Sequence, residues 1–122
     1  TNGALCAVLD RAFYASQGRY ARKPGAAVVS CRRGGASATF DRINKYFTIS
    51  RMPVISSQYW NSIHGTRAEE ALQDEEGLQI MRTLGRNMAW MLKCFEAGRN
   101  AGVCLPERES ERKRTNFIPA KQ

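Results

Sequence analysis

Two short segments carry the residue types best suited to holding a ligand. The first is Ser30-Cys31-Arg32-Arg33-Gly34-Gly35, at the end of the apolar run Pro24-Gly25-Ala26-Ala27-Val28-Val29. Its arginines supply anion recognition, and its paired glycines let a backbone approach a ligand closely. It is neither a G-x-x-x-x-G-K-[ST] phosphate loop nor a G-x-G-x-x-G dinucleotide fingerprint. The second is Ser56-Ser57-Gln58-Tyr59-Trp60-Asn61-Ser62-Ile63-His64-Gly65. Tyr59 and Trp60 suit stacking on a planar ring or filling an interface between subunits. His64, the only histidine, is read as a structural residue. No nucleophile–histidine–acid arrangement can be argued from it, so no catalytic residue is assigned.

Other chemistries lack their residues. Cys6, Cys31, Cys94 and Cys104 include no C-x-x-C pair, so neither a zinc ribbon nor an iron–sulfur cluster has its chelating spacing. No metal site is expected. The acidic run Asp74-Glu75-Glu76 reads as the start of a helix, where the dipole favours negative charge. Four reduced thiols in a cytoplasmic protein is the expected state, with two disulfides as the alternative.

These segments need elements to position them. Leu5, Val8, Leu9, Ala12 and Phe13 recur at helical spacing, with Thr1 or Asn2 as the cap and Gly18 marking the end. Residues 24–31, apolar without alternation, read as a parallel strand covered on both faces. Phe40, Ile43 and Phe47 predict a helix of about three turns. Met52-Pro53-Val54-Ile55-Ser56-Ser57 reads as a second buried strand, with Pro53 tolerated near its start. Residues 58–66 read as a loop. Leu78, Met81, Leu84, Met88, Met91 and Phe95 predict one apolar face of a long last helix, with Gly98 or Gly102 as its stop. Gly77 and Gly85 fall near one face of it and are expected to allow close backbone approach.

The order is helix, strand, helix, strand, helix, and right-handed crossovers make the strands parallel. Ligands in open sheets of this kind bind outside the carboxyl ends of the strands. Both chemical segments lie there. Two parallel strands do not make a stable sheet by themselves, so further strands are expected from residues preceding Thr1 or from another chain. Residues 1–105 are expected to form the C-terminal half of a doubly wound α/β domain. Residues 106–122 are expected to be a tail whose Phe117-Ile118 pair docks onto another surface.

Composition bounds the rest. The 122 residues are 43% hydrophobic and 25% charged, the balance of a globular protein rather than of a disordered chain, a collagen or a disulfide miniprotein. No apolar run approaches the ~18 residues of a membrane span, and no secretory leader is expected. The net charge is +8, and residues 1–50 hold eight basic against two acidic residues. A nucleic-acid binder would also be basic. Here, however, the arginines are not interleaved with aromatics along one element, so neither nucleic acid nor membrane is expected as a partner.

Several of these segments together resemble the NADPH-dependent FMN reductase family of flavodoxin-like flavoproteins. The likeness lies in Asn2-Gly3-Ala4-Leu5 through Leu9-Asp10-Arg11, in Lys23-Pro24-Gly25-Ala26-Ala27-Val28-Val29-Ser30 with Arg32-Arg33-Gly34-Gly35, and in Asn44-Lys45-Tyr46-Phe47. It continues through Ser56-Ser57-Gln58-Tyr59-Trp60-Asn61, Asp74-Glu75-Glu76-Gly77-Leu78, Arg86-Asn87-Met88-Ala89-Trp90 and Thr115-Asn116-Phe117-Ile118. Each piece is weak alone, and the combination covers nearly the whole chain.

The resemblance implies a five-stranded parallel sheet of which this chain supplies the last two strands, the C-terminal part only. It implies FMN and NADPH (or NADH) as cofactors, hydride transfer through the flavin to an acceptor, and flavin contacts from the loops after the third and fourth strands. Those fall at Asn2 and Gly3, and at Cys31, Arg32, Arg33, Gly34 and Gly35. Arg32 or Arg33 would supply positive charge at the pyrimidine edge of the ring. Tyr59 and Trp60 would cover a ring, across a dimer interface in one arrangement. The family's phosphate-binding loop and the iron–sulfur motif of some relatives match nothing here. A homo-oligomer, or pairing with the missing N-terminal half, is expected. The competing expectation is a non-catalytic α/β fragment or interaction subunit without a cofactor.

Overall fold

The structure, a computed structural model, describes every residue except 17, 112, 114, 116 and 118–122. Its elements run α1 (Gly3–Ala15), β1 (Val29–Cys31), α2 (Ala36–Ile49), β2 (Ser62–His64), α3 (Ala68–Ala71) and α4 (Glu75–Asn100). The strands pair in parallel, as the alternation predicts, with Val29 opposite Ser62 and Cys31 opposite His64. The sheet has two strands among the described residues. It is thus a small parallel sheet with helices, and the full doubly wound sheet of the expectation is not seen.

The helices follow their sequence signals closely. Asn2, not Thr1, caps α1, its side chain accepting from the Leu5 N–H at 2.8 Å. The helix ends at Ala15, three residues before Gly18, where the Ser16 hydroxyl donates to the Phe13 carbonyl. Phe13 packs between Tyr20, Tyr46 and Phe47 with ring centroids 5.0, 5.3 and 6.1 Å away. The Tyr46 hydroxyl donates to Asp10, tying α2 to α1. Cys6, Ala27, Val29, Ile55, Ile80 and Leu84 form the small apolar core.

The strands depart from expectation. Residues 24–31 contribute three ladder residues and one isolated bridge, Gly25 to Val54. Of residues 52–57 only Val54 pairs, and β2 lies at 62–64, inside the expected loop. The cause is a change of register. Three residues separate Gly25 from Val29 on one strand, while seven separate their partners Val54 and Ser62 on the other. Four extra residues therefore loop out of the second strand. Asn61 fills the gap they leave: its side-chain amide donates to the Ala27 carbonyl at 3.0 Å, and its own carbonyl accepts from the Val29 N–H. At 1% exposure it is the most buried polar side chain. A continuous apolar run shows β-propensity but not register.

Helix α4 begins at an Asp74 cap and buries Gly77, Ile80 and Leu84. The buried stripe is thus shifted from the expected one: Ile80 joins Leu84, Leu78 and Met81 are half-buried, and Phe95 is exposed. Gly77 does permit a close approach, since a Cβ there would meet Asp74 Oδ2 at 2.5 Å and Ile63 Cγ1 at 2.9 Å. Gly85 faces open space, against expectation. Gly77→Val is therefore expected to push α4 off β2 and cost about 2–3 kcal/mol, the range of overpacked cores, read as a lower denaturation midpoint with unchanged slope. The helix runs through Gly98 and stops at Gly102, whose φ of +75° lies in the left-handed region.

The short helix α3 was not expected. The described residues after Gly102 carry no helix or strand and are exposed, Phe117 at 93%. On this chain Phe117 stands exposed, and Asn116 and Ile118 lie outside the described residues. No helix of the described residues is long and apolar enough to cross a membrane.

Candidate functional site

The carboxyl end of β1 leads into residues 32–35 and then into α2. That helix starts at Gly35, φ +83°, with no side chain capping it. The first-turn N–H groups of a helix have no partner within it and carry its positive dipole end. Beside them the looped-out residues 57–60 rise from the second strand. The two segments face each other across an open cleft of about 250 Å³, lined by Arg33, Gly34, Gly35, Ala36, Ser37, Phe40, Tyr59, Trp60, Asn61, Ser62 and His64.

The structure thus brings together Arg33, Gly34, Gly35, Tyr59 and Trp60 from the sequence reading. Cys31 ends β1 and Arg32 follows it, and neither lines the cleft. Asn2 and Gly3 lie outside the lining too. Their neighbour Thr1 donates from its terminal ammonium to Thr39 on α2 at 2.8 Å, which sets the start of α1 beside the first turns of α2. The four cysteines are free thiols. Among the described residues no three metal-ligating side chains gather.

The aromatic pair is held from behind. Tyr59 and Trp60 pack on each other, centroids 5.0 Å apart and planes tilted by 52°, and each stays more than half exposed. Ser57 bonds to the Tyr59 carbonyl and to Asn61 Oδ1. Gln58 bonds to Gln79 and accepts from Thr83, while Asn87 donates to the Ser56 carbonyl. Gln79, Thr83 and Asn87 are spaced by four along α4, so they form one polar seam that clamps the loop. In sequence, the signal for this seam is a polar i, i+4, i+8 stripe beside the apolar face of the helix.

His64 was also set aside from sequence, yet it forms part of the cleft wall. Asp74 Oδ2 accepts from the His64 N–H at 2.7 Å and lies 3.6 Å from its Nδ1, while Oδ1 accepts from the Gly77 N–H at 2.9 Å. The N–H of Gly77, then that of His64, hold the Asp74 carboxyl below its ordinary range. A depressed acid stabilises the fold above its unfolded value, near pH 4, and that contribution disappears as pH falls through the folded value. Asp74→Asn is expected to flatten the acid limb of the stability–pH profile below about pH 4, checked by denaturation at pH 3 to 6.

A family model described as NADPH-dependent FMN reductase matches residues 1–67. The match covers the N-terminal region of the chain, β1, α2 and the whole cleft except its surroundings on α4, so the expectation of a C-terminal part only is not borne out. No curated protein and no solved structure matches.

Proposed function

Because the chain belongs to the NADPH-dependent FMN reductase family, we propose that its cleft takes the ring system of a flavin and that the chain serves hydride transfer from NADPH or NADH through FMN to an acceptor. The observation that carries this reading is the meeting, in one cleft, of an uncapped helix start, a guanidinium and an exposed aromatic pair. A flavin ring offers carbonyl oxygens and nitrogens along one edge and a wide apolar face. The N–H groups at the start of α2 and Arg33 suit the edge; Tyr59 and Trp60 suit the face.

When bound, the flavin supplies the two-electron relay, and the protein supplies placement and electrostatics. Arg33 and the α2 dipole place positive potential where the reduced ring is electron-rich. Gly34 and Gly35 leave the approach open, since a Cβ at either would meet nothing within 4 Å. Tyr59 and Trp60 keep water from one face. His64 stands in the cleft wall, its ring nitrogen 3.6 Å from the Asp74 carboxylate. Asn2, Gly3, Cys31 and Arg32 flank the cleft in this reading rather than line it. A flavodoxin-like sheet completed by further strands belongs to the same proposal, as do a dimer and a cytoplasmic setting.

The cleft volume falls below the roughly 300–1,000 Å³ of pockets that enclose whole drug-sized ligands, which suits the ring more than a complete nucleotide. Lumiflavin, which is the ring without its ribityl phosphate, is therefore expected to bind the chain about as tightly as FMN does. Quenching of flavin fluorescence on titration measures both. If neither is bound, the flavin reading fails.

The alternative of an interaction subunit without cofactor has its own support. The accessible surface is 10041 Å², whereas a compact chain of this mass exposes roughly 6,600 Å². The outer edge of β1 also carries no strand among the described residues. A preparation that stays colourless with added FMN would favour that reading.

A further inference from the structure

The pole opposite the cleft holds a second collection of charge. Residues 18–24 follow α1 and residues 50–53 follow α2, and the two loops touch: the Arg22 N–H donates to the Arg51 carbonyl at 3.0 Å. A Cβ on Gly18 would meet the Arg51 guanidinium at 2.5 Å. Arg19 and Lys23 lie on the same loop, with the Lys23 ammonium 5.9 Å from the centre of the Tyr20 ring. The Arg22 guanidinium donates to the Pro106 carbonyl. Among the described residues the ion pairs are His64 with Asp74 and Lys113 with Glu111, so none of these four cations has a carboxylate partner.

The backbone makes this patch unusual. Among the described residues, Arg22 and Arg51 are the two non-glycine residues with positive φ, at +68° and +60°. Arg51 sits just past the cap of α2, where its N–H bonds to the Thr48 carbonyl and that of Met52 to the Phe47 carbonyl. The end of α4 repeats this pattern: Gly102 bonds to Arg99 and Val103 to Gly98. There the left-handed position is glycine, the residue that this cap favours. At α2 it is arginine, at a conformational cost. Cations near helix C-termini are favourable. That attraction does not require a left-handed backbone, and it does not account for two strained arginines bonded to each other.

We propose that Arg19, Arg22, Lys23 and Arg51 form a binding site for a phosphate-bearing anion, distinct from the flavin cleft and at the other end of the sheet. Three fork-shaped guanidiniums and an ammonium, without carboxylate partners among the described residues, are the groups that grip phosphate oxygens. The phosphate can belong to a free ligand or to a lipid headgroup, and the test separates the two.

Inorganic pyrophosphate is titrated calorimetrically, and vesicles of phosphatidylcholine with or without phosphatidylserine are sedimented with the protein. Binding to pyrophosphate assigns a free ligand; binding only to phosphatidylserine vesicles assigns a headgroup. Either should weaken with added salt. Arg51→Gly is expected to weaken binding about tenfold, a charge-assisted contact, while raising the melting temperature by roughly 3 °C or more as strain is relieved. Arg19→Glu with Lys23→Glu, on exposed side chains that leave the fold intact, should abolish binding. The proposal is overturned if neither probe binds, if both variants bind like the parent, or if Arg51→Gly melts lower, because arginine would then be serving the fold.

Discussion

Asn61→Ala is expected to lower stability by about 2–4 kcal/mol, because it strands the buried Ala27 carbonyl and removes one of the two acceptors of the Ser57 hydroxyl. Both bonds are present in the parent, at 3.0 and 2.7 Å. The side chain joins two strands at the point where their register breaks, so its loss is not confined to one hydrogen bond. Residues 57–60 lose their anchor, and the Tyr59–Trp60 pair moves with them. Chemical denaturation measures the first effect. Trp60 emission, separated from that of Trp90 by a Trp90→Phe background, reads the second. A loss below about 0.5 kcal/mol, typical of surface sites, would show that Asn61 is not the anchor.

Tyr59→Ala with Trp60→Ala should weaken ring binding by roughly 30- to 150-fold, as two aromatic partners at about 1 to 1.5 kcal/mol each imply. Both rings are more than half exposed, at 57% and 54%, so their removal costs the fold little. That separates a loss of affinity from a loss of structure, which equal melting temperatures would verify. Lumiflavin and FMN should weaken in parallel. If the double variant binds lumiflavin as the parent does, the aromatic pair is not part of the ring site.

Much of this arrangement was legible in the residues. Apolar spacing located α1, α2 and α4; the α1 cap is one of the two residues offered, Thr1 or Asn2, and Asp74, read into the first turn of α4, is its cap. The Arg33-Gly34-Gly35 turn fell at a strand end because parallel order alone puts it there. The strand boundaries were not legible. Val54 and Ile55 are as β-prone as any pair in the chain, and only pairing decides that the ladder resumes at Ser62, after Asn61 has bridged to Ala27. His64 was passed over because a lone histidine has no visible partner in sequence. Asp74 lies ten residues further on, across α3. Ile80 was missed since a stripe read by type alone drifts by one residue around a helix, and the sheet then decides which row it covers.

The register change at Asn61 has a consequence for how this cleft can diversify. Pairing is set independently before and after the excursion, by Gly25 with Val54 and by Val29 with Ser62. Residues 57–60 are thus an exchangeable cassette: lengthening or replacing them alters what faces the cleft without shifting a single partner in the strands beneath. A lineage could retune its choice of ring while inheriting the scaffold unchanged.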